Sequence, residues 1–554
     1  MFSDPVIGEN FFGRQEILEL LLKRATALKA GYRQNVALIG HQQLGKSSIL
    51  RQFLYTLRDP EILSIYVEIK LQSLDYFVDQ FIRSLLFQYL TQTQTVNPTE
   101  SLEKLELAAQ DSIPKTVLRT REIAHLLKTR HAEEAYTKLF ELTSIIKGET
   151  GKNCIVILDE FHRLGEFGIK NPFVDFGKRI MVQKDTMYLL SSSSFSASRK
   201  ILAEKLSLLF GNFERIYLEN FDFQTAFAFV DKKIEPLEIS GNLKHYLVAF
   251  TDGHPFFLEN ITTRLRESAL ATSQSEITSK AIADVFYKLF YESQGVLNQY
   301  FMKLISPWTQ ARSRGKQLLI LAQIAKGVNR LKDVAQALNM SQKEASSQIQ
   351  ELVEYELLVK VGVFYRFHNK IFRFWLREVY ERKELSLMGI SGRDDAFVDA
   401  VKSSILEHEE ITAMGITERV EGLFLQFRND LMEFGEKNRK LPHFTEIFKT
   451  AVHETSLRGS ARKIIAKGHG RCWICQVTET KATEKEVMSL VLGDAQGSLA
   501  HTKVLLALGG LDENAKLLAK EKRIFTMSLS RVNLLMDLYG KPPIILQEDI
   551  PSAA

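Results

Sequence analysis

An apolar run at 36–39 leads directly into Gly40-His41-Gln42-Gln43-Leu44-Gly45-Lys46-Ser47, and this junction constrains the fold of the chain more than any other feature. The octapeptide fits G-x-x-x-x-G-K-[ST], the P-loop pattern. Such a loop works only between a strand and a helix. Its glycines let backbone N–H groups close around a polyphosphate, and the helix that follows adds the positive end of its dipole. Segment 47–57 supplies that helix. Further short apolar runs lie at 63–69, 154–158, 187–191 and 215–218, separated by helix-length segments. This alternation predicts an α/β domain built on a parallel sheet with helices on both faces. The stretch 74–147 carries no strand signal and reads as a helical insertion, polar and partly loop between 97 and 121.

The motif assigns chemistry to named side chains. Gly40, His41, Gln42, Gln43, Leu44, Gly45, Lys46, Ser47 and Ser48 form the cradle for ATP. Lys46 brings a point charge to the β/γ-phosphates, and the Ser47 hydroxyl is a ligand for Mg²⁺. The run 154–158 ends in Asp159-Glu160, and in open α/β sheets ligands bind at the carboxyl ends of strands. Asp159 is assigned to the metal with Ser47, and Glu160 to the attacking water as general base. In isolation an N-cap would explain these acids equally well; the upstream P-loop favours catalysis. The run 187–190 ends in four serines, where Ser192 or Ser193 can orient water or sense the γ-phosphate; Ser193 is the candidate carried forward. Arg215, placed before the next strand, is the candidate arginine finger. Arg199 competes with it, and an ordinary surface ion pair is the bland alternative.

Charge and composition narrow the class. Lys+Arg number 72 and Asp+Glu 67, a net +5 over 554 residues, which permits nucleic-acid contact without arguing for it. No apolar run reaches the roughly 18–20 residues of a membrane helix. The first residues show no signal-peptide pattern, and the three cysteines point to a reducing compartment. A cytoplasmic protein without a membrane partner is expected. The core is assigned to 1–223 and a helical lid to 224–304. A winged helix-turn-helix is assigned to 305–384, with helices at 318–324, 331–338 and 341–355, a hairpin at 357–367 turning at Gly362, and a charged helix at 372–384. A linker at 385–395 precedes a separate C-terminal α/β domain at 396–554. There a first helix is expected at 421–434, strands near 463–465, 473–477 and 523–527, and a strand–helix close at 525–538.

Beyond the P-loop, Phe12-Gly13-Arg14-Gln15-Glu16, Leu158-Asp159-Glu160-Phe161, Gly253-His254-Pro255-Phe256-Phe257-Leu258 and Phe372-Arg373-Phe374-Trp375-Leu376 stand in order. Together they resemble the archaeal-type predicted ATPases on the STAND side of the AAA+ P-loop ATPases, over about residues 5–380. The resemblance implies ATP binding and slow hydrolysis coupled to rearrangement of core, lid and winged helix: a molecular switch acting on a protein partner or as a homo-oligomer. It also places Phe12 and Arg14 near the adenine. Where the family often has a Gly-Arg pair, this chain has Glu214-Arg215, which leaves the finger open.

Family members often carry a restriction-endonuclease-like domain after the winged helix. Glu479-Thr480-Lys481 spells its E-x-K, but strand alternation buries Trp473, Cys475 and Val477 and leaves Gln476 and Thr478 on the opposite face. No acid stands near Arg462-Lys463. The block therefore reads as a degenerate nuclease-like domain that binds rather than cuts, with an active nuclease or an unrelated α/β domain as alternatives. Cys472 and Cys475 read as buried structural thiols; a zinc site would need His469 and more ligands. The winged helix is assigned to packing or switching, because Glu344, Glu351, Glu354 and Glu356 lie in or just after its recognition helix. The alternative is an ATP-licensed DNA-binding protein.

Overall fold

A computed structural model of the chain describes residues 4–93, 97, 99–206, 213–309, 315–384, 394–434, 437–451, 462–468, 470–492, 500–546 and 549. The expected linker, apart from its last two residues, and His469 lie outside the described residues. The chain divides into two compact units, Met1–Asn220 and Phe221–Ala554. No described helix is long and apolar enough to cross a membrane.

The first unit is built on strands β1 (Asn35–Ile39), β2 (Ile62–Glu68), β3 (Asn153–Asp159), β4 (Thr186–Ser192) and β5 (Phe213–Tyr217). They lie in the order β2-β3-β4-β1-β5 with every neighbouring pair parallel. The three interior strands are buried along their whole length, which is why their sequences are continuous apolar runs. Alternate side chains feed two cores. Val36, Leu38, Ile155, Ile157 and Leu189 pack on Leu21, Ile49 and Phe53 of helices Gln15–Lys29 and Lys46–Thr56. Ala37, Ile39, Val156, Leu158 and Leu190 pack on Phe77, Phe81, Leu85 and the rest of the insertion.

The insertion consists of helices Leu74–Thr91, Leu102–Ala109, Pro114–Lys128, Ala132–Leu139 and Leu142–Thr150. The stretch expected to be partly loop is thus largely two helices. Ser101 caps the first by accepting from Lys104 N–H, and Pro114 opens the second. Leu105, Ala109, Ile113 and Val117 are buried. The polar residues between them form the wet face of an amphipathic pair.

In the second unit, helices Phe223–Ile234, Gly241–Thr251, Pro255–Ala271, Ser279–Phe286 and Val296–Thr309 come first. A short parallel pair, β6 (Glu238–Ile239) and β7 (Glu276–Ile277), interrupts them. Helices Gly315–Ala325, Leu331–Ala337 and Gln342–Glu354 follow, then an antiparallel hairpin of β8 (Leu358–Val361) and β9 (Phe364–Phe367). After helices Asp395–Ala413 and Ile416–Phe424, β10 (Asp430–Phe434) pairs antiparallel with β11 (Lys437–Leu441). The helix expected at 421–434 is therefore a helix end followed by a strand. Asn429 turns the chain with φ 62°, and Asp430, Met432 and Phe434 are buried while Leu431 and Glu433 are exposed, the period of a strand. A second sheet runs β12 (Glu446–Ala451), β13 (Arg462–Gly468), β14 (Arg471–Thr478), β15 (Ala500–Ala507), β16 (Phe525–Ser528) in that order. Its first two pairings are antiparallel and its last two parallel.

The hairpin is built into this C-terminal block. Val363 N–H donates to Leu431 O at 3.2 Å, and Phe364 joins the core formed by Phe427, Met432 and Leu535. Arg330 donates to both oxygens of Asp430 at 2.9 and 3.1 Å, and Tyr539 OH reaches the same carboxylate at 2.6 Å. Burial alone would raise the pKa of Asp430; these donors and the Arg330 charge hold it below the usual carboxylate range. Gly362 turns the hairpin at φ 61°, where a Cβ would meet Leu431 O at 2.3 Å.

Candidate nucleotide site

The P-loop leaves the end of β1 and enters helix Lys46–Thr56 through two left-handed residues, Gln43 at φ 62° and Gly45 at φ 91°. The second conformation favours a glycine. Leu44 is buried in the core, so its side chain anchors the loop and only its backbone faces outward. Lys46 donates to Gly40 O at 2.8 Å and His41 O at 2.7 Å. The His41 ring stacks on Phe195, centroids 6.0 Å apart. Ser48 Oγ accepts from Val6 N–H at 3.1 Å, and Gly8 N–H donates to Gln52 at 2.7 Å, so the N-terminal segment lies along the same helix. Arg14, at φ 61° before helix Gln15–Lys29, donates to Glu219 O. Phe12 is half-buried in the same segment.

Strand register brings the acids to this loop. Glu68 pairs with Asp159 across β2 and β3, and Leu158 with Leu190 across β3 and β4. Asp159 is buried. Its Oδ2 accepts from Ser47 Oγ at 2.7 Å and Tyr66 OH at 2.8 Å, and its Oδ1 accepts from Ser191 Oγ. Burial first, and then the charge and hydrogen bond of Asp159, push the Tyr66 phenol well above its ordinary pKa, so it stays a donor. Glu160 takes φ 60°, which swings its carboxylate off the strand toward β4. There Glu160 Oε2 accepts from Ser193 N–H at 2.9 Å and Ser193 O–H at 2.8 Å. His162 Nδ1 is 2.8 Å from Ser192 Oγ and 3.4 Å from Glu160 Oε2.

Hydrogen bonds and chain adjacency join Ser47, Asp159, Glu160 and Ser193 at the end of the sheet from which the P-loop leaves. Arg215 lies inside β5, opposite Ala37, with two strand residues still to come, and is not placed before the strand as expected. Arg199 is exposed on helix Phe195–Lys200. Tyr66, Ser191 and His162 are additions that the sequence reading passed over. Only Tyr66 carried a usable signal, an alternate position in the β2 run two residues before Glu68.

The hydroxyl of Ser47 and the carboxylate of Asp159 are hard oxygen donors in direct contact, a set that suits Mg²⁺ completed by phosphates and water. Among the described residues no group of three or more His, Cys, Asp or Glu could hold another metal ion. In the C-terminal sheet Trp473, Cys475 and Val477 share one core while Cys472 and Ile474 face another. Gln476 is buried opposite Lys463, and Thr478 donates to Leu506 O. Glu479 and Lys481 lie beyond the end of β14 and are exposed. Cys472 and Cys475 are free and buried, and burial raises both thiols above their ordinary pKa.

Residues 10–169 match the AAA ATPase domain. The matched span holds the P-loop, Asp159, Glu160 and His162. Among solved structures, the chain is similar to the Walker-type ATPase of Pyrococcus abyssi, at 16% identity and a TM-score of 0.45, covering 68% of this chain and 99% of that one. It is also similar to the ORC2 protein of Aeropyrum pernix in its ADPNP–ADP complexes, at 11% identity and 0.42, covering 74% and 98%. A third is the RuvB Holliday junction branch migration motor of Thermotoga maritima, at 15% and 0.34, covering 68% and 100%. No curated protein matches the chain.

Proposed function

We propose that the chain binds ATP with Mg²⁺ on Gly40–Ser48 and hydrolyses it slowly as a nucleotide-driven molecular switch. The observation that carries this reading is the direct Ser47–Asp159 contact at 2.7 Å with Glu160 next in the chain. On this reading phosphate loop, metal donors and base come together at the carboxyl ends of interior strands. Lys46 would exchange its loop carbonyls for the β/γ-phosphates. Ser47 and Asp159 would hold Mg²⁺, which when bound neutralises phosphate charge. Glu160 accepts a proton from the attacking water, and Ser193 acts beside it. Phe12 and Arg14 are assigned to the adenine side. Arg215, exposed on an edge strand, is assigned as a finger toward a neighbouring copy.

Segments 224–304 and 305–384 are read as lid and winged helix, the parts that nucleotide state would rearrange to expose the C-terminal block to a protein partner. That block is read as a degenerate nuclease-like domain. Its buried Gln476, where an acid would be needed, supports binding rather than cutting. The chain is read as cytoplasmic.

The test is nucleotide binding and turnover in variants. Lys46→Ala is expected to lose ATP binding. Tight ATP binding by that variant would sink the reading.

A second reading, ATP-licensed DNA binding, draws support from helix Gln342–Glu354. Glu344 is paired with Lys316 and Glu351 accepts from Gln317, while Gln342, Lys343, Ser346, Ser347 and Gln350 are exposed, a set suited to base edges. DNA affinity that falls steeply with salt would favour it.

A further inference from the structure

The two oxygens of Glu160 have different surroundings. Oε2 accepts both Ser193 donors and lies 3.4 Å from His162 Nδ1. Among the described residues no hydrogen bond reaches Oε1. His162 stands on the short turn Phe161–Glu166, where Phe161 and Leu164 plug into the core and turn its ring toward β4. Its side chain is 14% exposed, so water does not screen the contact freely. Ser192 Oγ donates to Ser194 O at 3.2 Å and accepts from Ser194 N–H at 3.2 Å. A hydroxyl that gives its one proton to Ser194 O meets His162, at 2.8 Å, as an acceptor, which assigns the ring proton to Nδ1.

We propose that His162 is a positioning residue for ATP hydrolysis: its Nδ1–H, shared between Ser192 Oγ and Glu160 Oε2, fixes the carboxylate so that Oε1 faces the attacking water. The inference rests on the reading of Glu160 as general base. In the step it serves, the water oxygen bonds to the γ-phosphorus and the bond from that phosphorus to the ADP oxygen breaks, its electron pair leaving with ADP. The water proton passes to Oε1 and from there to solvent. His162 neither gives nor takes a proton in this step. It acts because a misplaced base loses rate steeply, about a hundredfold for an ångström.

The experiment measures kcat, KM for ATP and affinity for a non-hydrolysable ATP analogue in the full chain. The variants are His162→Ala, His162→Asn, Glu160→Gln and the double change. His162→Ala is expected to lower kcat by about 10–100-fold while KM and analogue affinity stay within about twofold. His162→Asn, which keeps an N–H near the place of Nδ1, is expected to recover most of the rate. In the Glu160→Gln background, His162→Ala is expected to cost nothing more, because it works through that carboxylate. Wild-type kcat in His162→Ala, or an undiminished loss in the Glu160→Gln background, would overturn the proposal. Reduced analogue affinity in both His162 variants would also overturn it, since that marks a merely structural ring. Absence of hydrolysis by the unaltered chain, or full activity of Glu160→Gln, would remove the general-base reading and the proposal with it.

Discussion

Tyr66 and Ser191 reach Asp159 from the strands on either side of it, and each contact exists only because the strands are in register. A hydrogen bond to a charged group contributes about 1.5–3 kcal/mol. Tyr66→Phe is therefore expected to make the nucleotide-free first unit about 2 kcal/mol less stable. Urea unfolding of the two proteins checks this, and an unchanged midpoint would show that the phenol contributes nothing. The same contact explains what could be read from the chain. Gly40–Ser47 and Asp159-Glu160 are contiguous patterns, so they were legible. Ser191 meets Asp159, and His162 meets Ser192, through pairing between distant segments, which no local pattern encodes; Tyr66 left only its alternate position in the β2 run. Arg215 was misplaced by a boundary: β5 starts at Phe213, so the residue expected ahead of the strand lies within it.

At the scale of elements, the hairpin β8–β9 is a brace for the C-terminal block. Gly362→Ala must either open the φ 61° turn or push Leu431 away, at a cost of about 3 kcal/mol in the second unit. Thermal unfolding of the full chain checks this, and an unshifted second-unit transition would contradict the packing. A second contact makes that unit acid-sensitive. His245 Nδ1 and His408 Nε2 are 2.9 Å apart between helices Gly241–Thr251 and Asp395–Ala413. Burial, and then the charge of Arg419, hold His245 down to about 4; burial, the neighbouring His245 and Arg419 do the same to His408. The unfolded chain takes up protons below about 6.5, whereas the folded pair does so only near 4, so stability falls as pH drops through that window. For one residue the loss is about 3 kcal/mol. His408→Gln is expected to flatten this slope in denaturant titrations between pH 7 and 4, and an unchanged slope would place the acid sensitivity elsewhere. Continuous apolar runs were legible, as β1, β3 and β4 show. Those at 102–128 and 430–434 were not, because a polar amphipathic face resembles a loop and a five-residue alternation after a helix resembles its continuation.

Across the whole molecule, the division after Asn220 separates the nucleotide site from everything assigned to lid, winged helix and C-terminal block. Within the second unit those segments are tied together. Lys370 bonds Asp252 beside Gly253, Arg366 pairs with Asp537, and Asn329 donates to Leu538 O. Lys370 is half-buried; burial would lower its pKa, but Asp252 and Asp537 keep it above the ordinary lysine value and hold it charged. These ties cross from one assigned segment to the next inside the second unit. All of this depends on the phosphate chemistry of the first unit. The most direct measurement is Mg²⁺-dependent ATP hydrolysis by the full chain beside Glu160→Gln, with bound nucleotide followed in the same samples. The account predicts slow turnover by the unaltered protein, and in the variant retained ATP with turnover reduced at least about a hundredfold. Equal turnover by the two proteins would contradict it.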